Sequence, residues 1–206
     1  MKLQTVTAAM PALTIAAAPA LACKGEEIYS ENFSSAPGPW ATAPWFSIAG
    51  GAAEFKMGPG DTGVIPYLGG NFKEFDVCVD IANPAFKNGD APPVAGLAFW
   101  ANDFQNMAAA LVAPVGRLFS IRNSKGRSLL TAQARKINAL KVGNGATNTL
   151  RVTVKGNNVT LYLNDQRIAA FTDTPEDGPI GLVADSEKDQ VTSWKFSNFK
   201  LTKPPK

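Results

Sequence analysis

The stretch VKGNNVTLYLNDQRI, residues 154–168, decides the fold. Two turn signals, Gly156-Asn157-Asn158 and Asn164-Asp165, stand one strand length apart. Gly, Asn and Asp tolerate the positive φ values of a tight hairpin, so each cluster predicts a reversal of the chain. Between and around them residues alternate with period two. Leu150, Val152 and Val154 fall on one side, and Arg151, Thr153 and Lys155 on the other; Val159, Leu161 and Leu163 continue the apolar side. The reading is a three-strand antiparallel meander over 150–171 with a single apolar face. A one-faced meander must be covered by a second layer.

The same alternation recurs along the chain. In FKEFDVCVDI, residues 72–81, Phe75, Val77, Val79 and Ile81 share one face, opposite Glu74, Asp76, Cys78 and Asp80. In VAGLAFWA, residues 94–101, Leu97 and Phe99 point to the core and Trp100 points away. In RLFSIRN, residues 117–123, Phe119 and Ile121 are the expected core residues, with Leu118, Ser120 and Arg122 turned outward. Further strands are expected near 27–33, 52–57, 62–66, 107–113, 128–134, 168–171, 180–184 and 191–201. Phe196 and Phe199 cannot both face inward on a flat strand; a β-bulge at Ser197-Asn198 would reconcile them, and the alternative is that one of the two is exposed. Residues 132–142, AQARKINALKV, are read as a strand end and a loop. A dozen or so short strands in one chain predict an all-β fold of two packed antiparallel sheets, a sandwich or jelly roll.

The first 22 residues are read as an export signal in preference to a membrane anchor: Lys2, an apolar stretch, then Ala20-Leu21-Ala22 before an expected cleavage point. Removal leaves 206 − 22 = 184 residues, read as a single domain over 23–206 in the periplasm or outside the cell. No later stretch is apolar enough to span a bilayer. The formal charge of +3 falls to +2 without Lys2, and no basic cluster with interleaved aromatics is present, which argues against nucleic acid as a partner. The two cysteines, Cys23 and Cys78, are expected to pair in an oxidising compartment. Acylation of Cys23 as a lipid anchor is the alternative.

The order of motifs is informative. YSENFSSAPGPW is followed by AGLAFWANDFQNMAAALV, then TNTLRVTVKGNNVTLYLNDQRIAAFTD, GPIGLVADS and WKFSNFKLT. This order resembles the concanavalin A-like (laminin G-like) jelly rolls of bacterial exported proteins, most nearly the 3-keto-disaccharide hydrolase-like group. The resemblance is strongest from Thr149 to Thr202. It implies a carbohydrate or glycoside as partner, and either binding or hydrolysis. Many of these proteins carry Arg where this chain has Trp100, in a GLxFR pattern.

The chain has no histidine, which removes Ser–His and Cys–His catalysis and imidazole metal sites. There is no phosphate-binding Gly-rich loop. An enzyme here would rely on a carboxylate base, with Asp103 or Asp185 as the candidates at strand ends. No cofactor is required by the sequence, and calcium is the cation its carboxylates would suit. Glu74, Asp76 and Asp80 are read as a solvated outer face rather than a glycosidase pair. Trp40 and Trp45 are read as caps on the sandwich edge and Trp194 as core. Trp100, taken as outward-facing, is the candidate platform for a pyranose ring, with Asn102, Arg122 and Gln133 holding hydroxyls. The expectation is therefore an exported carbohydrate-binding sandwich. A 3-keto-glycoside hydrolase and an envelope interaction protein are the alternatives.

Overall fold

The computed structural model describes residues 23–35, 38–87 and 91–206, so the expected export signal lies outside the described residues. The strands are β1 (Glu27–Glu31), β2 (Phe46–Ala49), β3 (Ala52–Met57), β4 (Thr62–Pro66), β5 (Phe75–Ala82), β6 (Ala95–Asp103) and β7 (Asn106–Ala113). They continue with β8 (Arg117–Ser124), β9 (Arg127–Arg135), β10 (Thr147–Lys155), β11 (Asn158–Leu163), β12 (Gln166–Thr172), β13 (Gly181–Asp185) and β14 (Thr192–Thr202). They form two antiparallel sheets. The larger runs β12-β11-β10-β5-β14-β3-β2, with β1 also on β14; the smaller runs β4-β13-β6-β7-β8-β9. Among the described residues no helix is long and apolar enough to cross a membrane.

The decisive meander forms as its turns dictate. Asn164 and Asp165 take φ of 49° and 65°, closing Leu163 onto Gln166 in a two-residue hairpin. Leu150, Val152, Val154, Val159, Leu161 and Leu163 are all fully buried. They meet the inner residues of the second sheet, Leu97, Phe99, Ala108, Ala110, Leu118 and Leu182, in one apolar core. Burying side chains of this size contributes about 1.5–3 kcal/mol each, which is what binds the two layers together.

The last strand solves its geometric problem as the sequence requires. The register against β5 shifts between Ser197 and Lys200, and Asn198 adopts φ 51°. Phe196 and Phe199 are both buried as a result. Trp194 is core, and Trp40 packs in an edge cluster with Phe33, Tyr67 and Phe199.

Two expectations are overturned. On β8 the faces are inverted: Leu118, Ser120 and Arg122 point inward and are buried, while Phe119 and Ile121 lie on the outer face. On the polar face of β5 the expectation fails at Asp76, while Glu74, just before the strand, is exposed and Asp80 is partly so. Asp76 is fully buried and accepts from Arg151 Nε and Nη2 at 2.6 and 2.7 Å, from Thr153 Oγ1 at 3.1 Å and from the Lys24 amide at 3.2 Å. Tyr162 covers the Arg151 guanidinium at 4.7 Å. Cys23 and Cys78 form a disulfide, with their Cα atoms 6.0 Å apart, on this same face. It ties the start of the described chain down over the ion pair.

Candidate functional site

The outer face of the six-stranded sheet is apolar, and the register explains its shape. One transverse row reads Val64, Val183, Gly96, Leu111, Phe119, Gln133; the next reads Pro66, Gly181, Ala98, Ala109, Ile121, Leu130. Gly96 in the first row and Gly181, Ala98 and Ala109 in the second are small and buried, and beside them stand Leu111 and, on β8, Phe119 and Ile121. The large side chains border a groove. The glycines cannot be enlarged: a Cβ on Gly96 would lie 1.9 Å from the Ala110 carbonyl oxygen, and one on Gly181 would lie 2.7 Å from that of Ile65.

The groove has a volume of about 390 Å³, within the range of about 300–1,000 Å³ usual for small-molecule sites. Val94, Phe104, Met107, Leu111, Phe119, Ile121 and Val183 line it. Asn123 marks one end, and Thr62 and Asp185, a cross-strand pair, mark the other. Arg117, which shares the outer face with Asp185, and Asn123 are six positions apart on β8, so the groove runs about 20 Å along the strands.

Asp185 is the titratable group of interest. It ends β13, and its Oδ1 accepts from the Val94 amide. Burial pushes its carboxyl up to about 6, against a partial lowering by that hydrogen bond. A carboxyl held in that range can exchange a proton near neutral pH.

The sequence-predicted site is split by the structure. Trp100 is not exposed: its indole is completely buried. A bulge between Phe99 and Asp103 gives Trp100 a φ of 51°, which turns the ring to the same side as Phe99. Its Nε1 donates to the Lys73 carbonyl oxygen at 3.2 Å, and it meets Phe99 edge-on at 5.0 Å. No sugar can stack on it. Arg122 is buried with it, its guanidinium 5.0 Å above the Trp100 ring and paired with Glu176. Asn102 is exposed and donates to the Asp177 carbonyl oxygen at 3.3 Å. Gln133 is exposed and stands across from Phe119 on the groove face, where it accepts from Arg135 at 3.3 Å.

Asp103 sits in a different environment from Asp185. It is exposed and accepts from the Gln105 amide at 2.7 Å and from Asn106 Nδ2 at 3.0 Å, bonds that hold its carboxyl below the usual range. It lines a neighbouring hollow of about 150 Å³ with Asn102 and shares only Phe104 and Met107 with the groove. The two candidate carboxylates therefore do not face one another across a single site. Among the described residues no group of three or more His, Cys, Asp or Glu could hold a metal ion.

The residues that sequence reasoning missed are Phe104, Met107 and the outward pair Phe119 and Ile121. A signal for them existed. NMAAALVA, residues 106–113, is apolar on both faces, which identifies a strand with apolar surroundings on its outer side as well as its inner one.

No family model matches the chain, and no curated protein matches it. Solved structures do. The carbohydrate binding module CBM66 from Bacillus subtilis is 16% identical, with a TM-score of 0.59, over 84% of this chain and 94% of that one. The Emp46p carbohydrate recognition domain, in a point-mutant form, is 12% identical, with a TM-score of 0.66, over 89% and 100%. The Bacillus licheniformis beta-glucanase is 9% identical, with a TM-score of 0.64, over 87% and 99%. At such identities the likeness is one of fold: this chain is a concanavalin A-like jelly roll.

Proposed function

We propose that the protein is an exported carbohydrate-binding sandwich whose ligand lies in the groove of the six-stranded sheet. The observation that carries this reading is the groove itself. It is a depression of about 390 Å³, walled by the exposed Phe104 and the partly buried Phe119, with a partly buried carboxyl at one end. The fold is shared with a carbohydrate binding module and a carbohydrate recognition domain, which supports the same class of ligand. Phe119 and Phe104 give the ligand an apolar platform, and Asp185 and Thr62 give hydroxyls their partners. Titration calorimetry of residues 23–206 against an oligosaccharide and glycoside panel, with calcium and with chelator, tests it. A bound sugar-containing ligand whose affinity falls about tenfold in Phe119→Ala, the loss of roughly 1.4 kcal/mol of contact, is the expected result. Absence of binding to any member of the panel, or binding indifferent to Phe119, contradicts it.

A second reading, hydrolysis of a 3-keto-glycoside, is favoured by one specific observation: Asp185, with its raised carboxyl, opens into the groove. In that reading Asp185 takes the proton from the carbon between the ketone and the anomeric carbon, the anomeric C–O bond breaks as the C=C forms, the aglycone leaves and is protonated by solvent, and water adds across the double bond to complete the hydrolysis. Turnover of a 3-keto-glucoside that disappears in Asp185→Asn and survives in Asp103→Asn is the expected outcome. Equal loss in both variants would contradict the assignment.

A further inference from the structure

The groove's hydrogen-bonding inventory is short. Its floor strands β13, β6, β7 and β8 each have a paired neighbour on both sides, so their amides and carbonyls are engaged in the ladder. Asn123 is occupied at both ends of its amide. Its Nδ2 donates to the Phe104 carbonyl oxygen at 2.9 Å, and its Oδ1 accepts from Ser128 Oγ at 2.6 Å. Among the polar side chains that line the hollow, what remains is the Asp185 carboxyl, one oxygen of which takes the Val94 amide, and the Thr62 hydroxyl beside it; Gln133 and Arg117 stand on the same face outside the lining. Asp185 and Thr62 lie at the same end. The rest of the wall is Val94, Leu111, Val183, Met107, Ile121 and the two phenylalanines.

A bare oligosaccharide carries hydroxyls along its whole length. Laid along this groove, it would lose water from those hydroxyls without gaining protein partners, at about 1–3 kcal/mol for each one left unsatisfied. An apolar chain or ring in the same place gains contact at no such cost. Resting on the carbohydrate reading above, we infer that the ligand is a glycoside with an apolar aglycone or acyl chain. Its sugar hydroxyls meet Asp185 and Thr62, and its apolar part lies against Phe104, Phe119, Ile121 and Met107.

The test compares octyl β-glucoside below its micellar concentration with methyl β-glucoside, cellotriose and octanol, by calorimetry on residues 23–206. Octyl glucoside is expected to bind at least about tenfold more tightly than methyl glucoside and than octanol. Ile121→Ser should remove the advantage over methyl glucoside. Leu129→Ser, on an exposed leucine outside the groove, should leave it intact. Asp185→Asn should weaken octyl glucoside and leave octanol unchanged. If cellotriose or methyl glucoside binds as tightly as octyl glucoside, the apolar aglycone is wrong and the carbohydrate reading survives. If octanol binds as tightly as octyl glucoside, the sugar is irrelevant and both fail. A dimer in light scattering that Ile121→Ser dissociates assigns the face to a second copy of the chain and overturns the inference.

Discussion

The two outer faces of the sandwich are opposites. On the eight-stranded sheet the buried charge is saturated: Asp76 has Arg151, Thr153 and the Lys24 amide, Arg151 has Tyr162 above it, and the Cys23–Cys78 bridge holds the chain over them. On the six-stranded sheet the hollow is apolar, with Met107, Leu111 and Val183 buried in it and Phe104 exposed at its rim, and its one partly buried carboxyl among the described residues, Asp185, has a single protein donor, the Val94 amide. A fully partnered polar cluster holds structure and has nothing left to offer a ligand. An apolar hollow with one under-used polar group is costly to keep in water and is the kind of surface a ligand completes.

The contrast predicts different consequences for the two faces. Asp76→Asn should cost the most, about 3–5 kcal/mol, because it leaves the buried Arg151 guanidinium without its counter-charge. Chemical denaturation measures the loss, and ligand affinity of the folded fraction should be unchanged. A milder result would mean that water reaches Arg151 and the face is less sealed than its contacts imply. Reduction of the disulfide, or Cys23→Ser, should lower stability by about 2–4 kcal/mol through release of the tethered end, again without effect on binding. An equal melting temperature with and without reductant would remove the tether from the account.

The groove face should behave the other way. The folded carboxyl of Asp185, at about 6, lies above its ordinary value of 3.8. The folded state therefore holds the proton more tightly than the unfolded chain does. The proton-linked contribution of this group favours folding at low pH. It declines as pH rises from about 4 to about 6, and is flat above that. At neutral pH the charged group costs on the order of 3 kcal/mol. Asp185→Asn should raise the melting temperature at pH 7, flatten that segment of the pH–stability curve, and weaken glycoside binding. A variant less stable than the parent at pH 7 would show that the charge is already compensated. Phe119→Ala, on a partly buried side chain, should change stability least, by about 1–2 kcal/mol, while costing about tenfold in affinity. Stability lost without affinity lost would make Phe119 a structural cover instead of a ligand contact.

The legibility of the chain follows a physical line. Strands, hairpins and the two-layer architecture are readable because alternation and turn residues report them locally: Leu150 to Val154 alternates cleanly, and Asn164-Asp165 supplies the positive φ its hairpin needs. The bulge in β14 is readable because two phenylalanines three positions apart demand it. Trp100 defeats the pattern because the same device, a bulge with a left-handed residue, sits on the tryptophan itself, and no neighbouring residue announces it. The inversion of β8 has another cause. Leu118, Phe119 and Ile121 are apolar on both faces, so the pattern carries no orientation, and Arg122 enters the interior only because Trp100 and Glu176 receive it. The two candidate carboxylates look alike in sequence, each at a strand end, yet Asp185 borders the groove and Asp103 belongs to a turn. Burial, not spacing, separates the two.

The central claim, that the outer face of the six-stranded sheet receives the ligand, has a direct probe in the methionines. A chain beginning at Cys23 contains two, Met57 in the core between the sheets and Met107 in the groove. With methyl-labelled methionine, addition of octyl β-glucoside below its micellar concentration should shift the Met107 methyl resonance in a saturable manner and leave that of Met57 in place. A Met107 resonance that does not move when binding is saturated, or a shift confined to Met57, would contradict the account.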